Sequence, residues 1–389
     1  MVNNIVSLLS VCDFKGGSQP PKSEWIKEEK EGYVRMLQIR DFTQGRAEFE
    51  YVKIKKKMNF CSEEDILIAR YGASIGKIVS GLSGTYNVAL IKAIPDESKL
   101  LKKYLYYFLK SNIFQHFIHN VGSRAAQAGF NKEDLKNVNL YLPTLTEQEK
   151  IIELLDLTNS IIQKRQSQIA ALDKLTQNVF IKMFGENKNL TKVTIADVVD
   201  SIEAGWSVSG EERKKEKSEI AVLKISTVTK GYFKDDEYKV LSPNTEIKKA
   251  VYPKKGDIIF SRANTRELVG ASAIVPKDYE DLILPDKLWK INLNKEIITP
   301  EYFYTVINTK RIRNQFSKNA TGTSGSMLNI SMQKFKQIEI YLPSIERQQV
   351  FSVRVNQIKN MKQKLIDSNQ EINILYNSIL QKAFNGELF

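Results

Sequence analysis

The sequence predicts an α+β chain: two α/β domains related by pseudo-two-fold symmetry and separated by two long antiparallel coiled-coil helices. Three observations predict it. An internal repeat covers nearly the whole chain, each copy closes on an apolar four-three spacing sustained over about four heptads, and short branched runs precede that spacing. The boundaries fall at 1–142 for the first domain, 143–186 for the first spacer helix, 187–342 for the second domain and 343–389 for the second helix. A length of 389 residues suits two domains.

The repeat is clearest at its centre. Tyr141-Leu142-Pro143 recurs as Tyr341-Leu342-Pro343, and at the same offset Gln148 meets Gln348, Leu175 meets Leu375, Lys182 meets Lys382 and Phe184 meets Phe384. Upstream, with small insertions, Glu64-Asp65-Ile66-Leu67-Ile68-Ala69-Arg70 answers Gly256-Asp257-Ile258-Ile259-Phe260-Ser261-Arg262, and Arg35-Met36-Leu37-Gln38-Ile39 answers Ala221-Val222-Leu223-Lys224-Ile225. Branched or alternating residues predict strands at 66–69, 258–261, 274–275 and 290–293, and helix is predicted over 99–118 and 299–316. Turn-rich stretches at Gly122–Gly129 and Gly322–Gly325 can present varied side chains from a fixed frame.

After each Leu-Pro a long helix is predicted. Steps of four and three from Ile151 give Leu155, Thr158, Ile162, Arg165, Ile169, Leu172, Thr176, Val179 and Met183; from Phe351 they give Val355, Ile358, Lys362, Leu365, Asn369, Ile372, Tyr376, Ile379 and Ala383. Gly185 and Gly386 are expected to end these helices in a left-handed conformation. Two independent surface helices would be the alternative, but seams so narrow and equally long favour pairing, and a dyad between repeats would make the pair antiparallel.

A net charge of +13 favours polyanions, and a lysine-rich solvated surface explains it as well. No apolar run approaches the ~18 residues that a membrane span needs. Cys12 and Cys61, the only cysteines, are too few for a disulfide framework and suit a reducing, cytoplasmic setting. His116 and His119 lack a third ligand for a metal. Leu9-Ser10-Val11-Cys12 hints at a lipoprotein cleavage site, but no basic residue precedes it and a similar segment recurs internally at Val193–Ala204.

Catalytic patterns are weak. Methyl transfer would call for a Gly-rich cofactor turn and an Asn-Pro-Pro-aromatic strip, and neither occurs. Asp13 with Glu28-Glu29-Lys30 and Asp200 with Glu237-Tyr238-Lys239 fit a nuclease pattern only loosely. Gly72-Ala73-Ser74-Ile75-Gly76-Lys77 imitates a phosphate loop but is one residue short, and Ile78 stands where a magnesium-binding hydroxyl belongs, so a hairpin is expected there.

The chain resembles the DNA specificity subunits of type I restriction-modification enzymes over essentially its full length. The elements that carry the resemblance are Leu142-Pro143-Thr144-Leu145-Thr146-Glu147-Gln148 and Leu342-Pro343-Ser344-Ile345-Glu346-Arg347-Gln348, each opening a long helix that closes on Met183-Phe184-Gly185 or Ala383-Phe384-Asn385-Gly386-Glu387-Leu388. Gly16-Gly17-Ser18-Gln19-Pro20, the Asp65–Lys77 hairpin and Phe130-Asn131-Lys132-Glu133-Asp134-Leu135 support it. The second copy departs by showing Gly205-Trp206-Ser207-Val208-Ser209 in place of the Gly-Gly-Ser-Gln-Pro stretch, and Arg347 in place of Glu147.

The resemblance implies two target-recognition domains that each read half of a bipartite double-stranded DNA site, with the helices as spacer. It also implies a scaffold for two methyltransferase subunits and the restriction subunits, and no catalysis by this chain. S-adenosylmethionine, ATP and magnesium would be held only by partner subunits. A two-headed coiled-coil protein adaptor, or a nuclease acting alone, are the competing readings.

Phosphate contacts call for Lys and Arg, and base readout for Arg, Gln, Asn, Ser and Thr. The candidates are Lys15, Gln19, Lys22, Arg40, Arg70, Arg124 and Gln127 in the first domain, and Ser207, Ser209, Arg262, Asn264, Arg266, Thr321, Ser324 and Ser326 in the second. Arg70 and Arg262 stand out because each closes a strand at an equivalent place, which a shared structural ion pair would also explain.

Overall fold

The computed structural model describes residues 4–45, 48–122, 129–185, 190–322 and 327–388. The chain divides into two compact units, one made of Met1–Ser167 with Ile366–Phe389 and the other of Gln168–Leu365. Both cuts fall inside the long helices, Leu145–Phe180 and Ile345–Asn385.

Each unit carries two main sheets, and in the larger one the repeat is preserved strand by strand. In the first, strands Cys12–Gly16, Leu90–Pro95, Ile66–Ala69 and Ile78–Val79 lie side by side in that order, all antiparallel. The second unit matches them with Val199–Ala204, Leu288–Leu293, Ile258–Ser261 and Ser272–Ile274. The smaller sheets share a parallel pairing, Met36 opposite Thr85 in one unit and Ala221 opposite Leu282 in the other. The strand opening each copy pairs with the strand before its Leu-Pro: Ile5–Ser7 with Asn139–Tyr141, and Thr191–Thr194 with Glu339–Leu342.

Two details differ from expectation. Each predicted helix in the domains is a pair, Lys102–Lys110 then Asn112–Gly122, and Pro300–Ile307 then Lys310–Asn319. An extended residue marks each break, Ser111 ahead of the second helix of the first pair and Thr309 ahead of that of the second, and their hydroxyls donate to the carbonyls of Phe108 (2.6 Å) and Val306 (2.7 Å). Only Gly386 is left-handed, with φ +74°, and the Glu387 N–H closes onto the Lys382 carbonyl at 2.9 Å. Gly185 is not left-handed, because the last turn widens into a π-helix over Ile181–Gly185 and continues through it.

Within each unit the start of one long helix packs against the end of the other. In the first unit, Ile151 and Leu155 share a core with Leu380, Ala383 and Phe384, and the Phe384 ring lies 5.0 Å from Tyr104 and 5.4 Å from Phe108. In the second, Phe184 lies 4.9 Å from Tyr302 and 5.4 Å from Phe351. There Lys362 pairs with Asp173 at 2.5 Å, while Arg347, further back, donates to the Met183 carbonyl. As one number rises the other falls, so the segments run antiparallel. Ile151, Leu155, Ile162, Phe351 and Ile358 are buried, and Ile169, Leu172, Val179, Val355, Leu365, Ile372 and Ile379 half-buried.

Gln148 and Gln348, both fully buried, hold the helix starts in place. The Oε1 of Gln148 accepts the Leu101 N–H at 2.9 Å while its Nε2 donates to the carbonyls of Lys99 (2.7 Å) and Pro143 (3.0 Å). Gln348 repeats this with Thr299 (2.9 Å), Ile297 (3.0 Å) and Pro343 (2.9 Å). The segment just ahead of the helix pair and the Leu-Pro corner are thus satisfied by one side chain.

Two outcomes are expected. Gln148→Leu strands three main-chain groups away from water and should lower stability by about 3 kcal/mol in urea denaturation; a loss under about 1 kcal/mol would discount the contact. Residues 1–186 alone offer Phe184 where the first core takes Phe384, so this fragment should sediment as a homodimer at micromolar concentration, and a folded monomer would contradict the exchange.

Candidate nucleic-acid interface

In each unit the candidate site lies just past the end of one strand, at Arg70 after Ile66–Ala69 and at Arg262 after Ile258–Ser261. The Arg70 N–H donates to the Ala89 carbonyl at 2.9 Å, and the Arg262 N–H to that of Lys287 at 3.1 Å. Each arginine carbonyl in turn accepts from the residue after the turn-rich stretch, Phe130 at 3.3 Å and Ile330 at 2.9 Å. The frame is therefore the same in both units. The side chains are both pinned through Nε to a main-chain carbonyl, Phe130 for Arg70 and Asp286 for Arg262, each at 3.0 Å.

Beyond Nε they diverge. Arg70 lies over the Tyr71 ring, 5.0 Å from its centroid, whereas Arg262 Nη2 meets the Asp286 carboxylate at 3.3 Å. The Ser207 hydroxyl donates to the same carboxylate. A structural ion pair thus exists at Arg262 and has no counterpart at Arg70 among the described residues.

Gly17 and Gly205 explain how the loops beside these arginines are seated. The Ser18 N–H donates to the Tyr86 carbonyl at 3.0 Å and the Trp206 N–H to the Leu284 carbonyl at 3.1 Å. A Cβ on Gly17 would collide with the carbonyls of Tyr86 and Asn87, and one on Gly205 with that of Leu284. The dissimilar stretches Gly16–Pro20 and Gly205–Ser209 are therefore the same element, and Gln19 and Ser209 are exposed on it.

The other candidates scatter around this frame. Lys15 is exposed on the Cys12–Gly16 strand, and Lys22 in the short 3-10 turn Lys22–Glu24. Arg40 is engaged by Glu50 and sits 3.9 Å from Asp41, which ties it into its own unit. Asn264 caps the Thr265 N–H at 2.9 Å from a short pairing with Leu328, Arg266 is exposed, and Thr321 bridges Asn329. Arg124, Gln127, Ser324 and Ser326 lie outside the described residues. Asp286, which gathers Ser207 and Arg262, was not singled out from sequence; it lies 24 positions from one partner and 79 from the other, and no local pattern links the three.

The weak catalytic patterns resolve into ordinary contacts. Asp13 pairs with Lys132 and accepts the Phe14 N–H, which together hold its carboxyl below the usual range. Glu237 binds Lys234 at 2.7 Å and Ser226 at 2.7 Å, drawing its carboxyl down to about 2. Gly72–Lys77 is the turn of an antiparallel hairpin, with Gly72 and Gly76 left-handed. Burial pushes the Cys12 thiol up to about 12 and Cys61 to about 11. Both histidines are exposed, and no cluster of His, Cys, Asp and Glu suited to a metal occurs among the described residues. No described helix is long and apolar enough to cross a membrane.

Comparison with known proteins places this architecture. The type I restriction modification DNA specificity domain matches twice, at residues 3–171 and 187–375. Among curated proteins, the EcoKI specificity subunit of Escherichia coli K12 is 23% identical, with 100% of this chain and 88% of that protein aligned. The MjaVIII specificity subunit of Methanocaldococcus jannaschii is 24% identical over 93% of this chain and 88% of that one. Among solved structures, the type I restriction-modification S subunit from M. genitalium superposes with a TM-score of 0.55 at 16% identity, covering 98% of this chain and 95% of that one. A chain from a study of type I assembly and conformational transition superposes at 0.59 and 14% identity, covering 99% and 98%. Two copies of the family's domain, one per repeat, make this chain a member of the type I restriction-modification DNA specificity family, and thus a DNA-recognition subunit.

Proposed function

We propose that each α/β domain reads one half of a bipartite DNA site, that the paired helices set the interval between the halves, and that the chain breaks and makes no bonds itself. One observation carries the reading: the family's domain falls once on each repeat, so the recognition element is present in duplicate. The helices have the right scale. Thirty-six and 41 residues rise to roughly 54 and 62 Å at about 1.5 Å each, between one and two turns of B-DNA at ~34 Å per turn.

The same duplication supports two methyltransferase subunits as partners. Ile161 and Met361 are equivalent, as are Leu175 and Leu375, and all four are exposed apolar residues on the long helices. Apolar residues exposed at equivalent positions of the two copies suit two copies of one partner, through which restriction subunits would join. S-adenosylmethionine, ATP and magnesium belong to those partners in this scheme, and the setting is cytoplasmic.

Binding to duplex DNA should weaken with salt, with a log-log slope of about −5 to −9 for ~6 to 10 neutralised phosphates. A flat titration would favour the protein adaptor. Replacing residues 1–142 with the corresponding domain of another family member should change one half of the methylated motif and leave the other intact, read by sequencing modified adenines. A change in both halves, or in neither, would contradict one reader per domain.

A further inference from the structure

We propose that Arg262 and Asp286 together read one G·C base pair in the half-site of the second domain, with Ser207 positioning the carboxylate; this rests on the DNA-reading function above. Two features of the geometry lead there. The guanidinium is fixed at its root by the 3.0 Å bond from Nε to the Asp286 carbonyl and along one edge by the 3.3 Å contact with the Asp286 carboxylate. Nη1 is thereby left as an oriented donor, with no acceptor among the described residues, on a side chain 31% exposed. Asp286 is 39% exposed, and its Oδ1 accepts from Ser207 while its Oδ2 accepts from Arg262, so each oxygen keeps acceptor capacity beside that donor.

An oriented Nη1 donor next to a fixed acceptor has a specific complement in the major groove. Guanine presents N7 and O6 as acceptors, and its paired cytosine presents the N4 amino group as a donor on the same edge. An A·T pair offers the adenine N6 amine where guanine offers O6, which would face arginine donors with another donor. The arginine satisfies guanine and the aspartate satisfies cytosine.

The first domain supplies the contrast. Arg70 occupies the same post in the frame but has Tyr71 beside it, and the position equivalent to Asp286 is Val88, exposed and without an acceptor side chain. The donor-acceptor pair is a property of the second domain alone, so its effect should appear in one half of the motif.

The test uses the chain assembled with its methyltransferase subunits and maps methylated adenines across a random-sequence library for the wild type, Arg262→Lys, Asp286→Ala and Ser207→Ala. The wild-type motif should contain a G·C pair, in the half that a residue 1–142 swap leaves unchanged, that Arg262→Lys and Asp286→Ala relax. Discrimination there should fall by about 5- to 150-fold, with every other position retained. Ser207→Ala should relax the same position by less, since it leaves both reading groups in place.

An unchanged motif in the Arg262 and Asp286 variants would overturn the proposal, as would uniform loss at all positions, which marks a structural ion pair. Melting of each variant separates lost folding from lost readout, and Arg262→Lys, which keeps the charge, carries the test if Asp286→Ala fails to fold. A wild-type assembly with no motif at all would instead defeat the DNA-reading function on which this depends.

Discussion

The structure depends on one constraint: neither α/β domain completes its own core. Phe384, only 4% exposed, fills the first unit from the end of the second long helix, and Phe184, at 6%, fills the second from the end of the first. A buried phenylalanine is worth roughly 2–3 kcal/mol in apolar transfer alone, a large part of a domain's net stability. With each helix anchored by a buried glutamine where it starts and by a buried ring where it ends, its register against the other cannot slip without emptying a core. The repeat makes the exchange reciprocal, because each helix ends on a phenylalanine at the equivalent position.

This anchoring frees the rest of each domain to vary. The frame around these arginines consists of main-chain bonds, from Arg70 and Arg262 to their neighbours and from Ser18 and Trp206 to Tyr86 and Leu284, and such bonds tolerate any residue but proline at the donor. The residue that the frame does demand is glycine at 17 and 205, where a Cβ would strike a carbonyl. A loop seated in this way can exchange Ser18-Gln19 for Trp206-Ser207 without moving the strands beneath it.

The long helices were legible from periodicity and a constant offset, the duplicated strands from a repeat that survives small insertions, and the hairpin at Gly72–Lys77 from a phosphate-loop spacing that falls one residue short. The equivalence of Gly17 and Gly205 was not, since only one residue of the stretch is shared and the constraint on it comes from carbonyls about 70 to 80 positions away. The breaks at Ser111 and Thr309 were read through, because apolar spacing continues across them and only the hydroxyl contacts show that the chain starts a new helix. A left-handed end at Gly185 was expected from glycine alone; the backbone instead widens by one residue and the glycine keeps helical handedness.

Arg70 and Arg262 show why equivalent residues need not act alike. Both are pinned at Nε, and that removes rotamer freedom before any ligand arrives, which lowers the entropy that a later contact costs. What differs is the neighbour at the free end: a ring face attracts the guanidinium without competing for its donors, whereas a carboxylate takes one donor and adds an acceptor. The same post therefore displays donors alone in one domain and a donor with an acceptor in the other. Val88 stands where the second unit has Asp286, and Tyr71 where it has Ala263, so the two posts offer a ligand different hydrogen-bond patterns on the same main-chain frame.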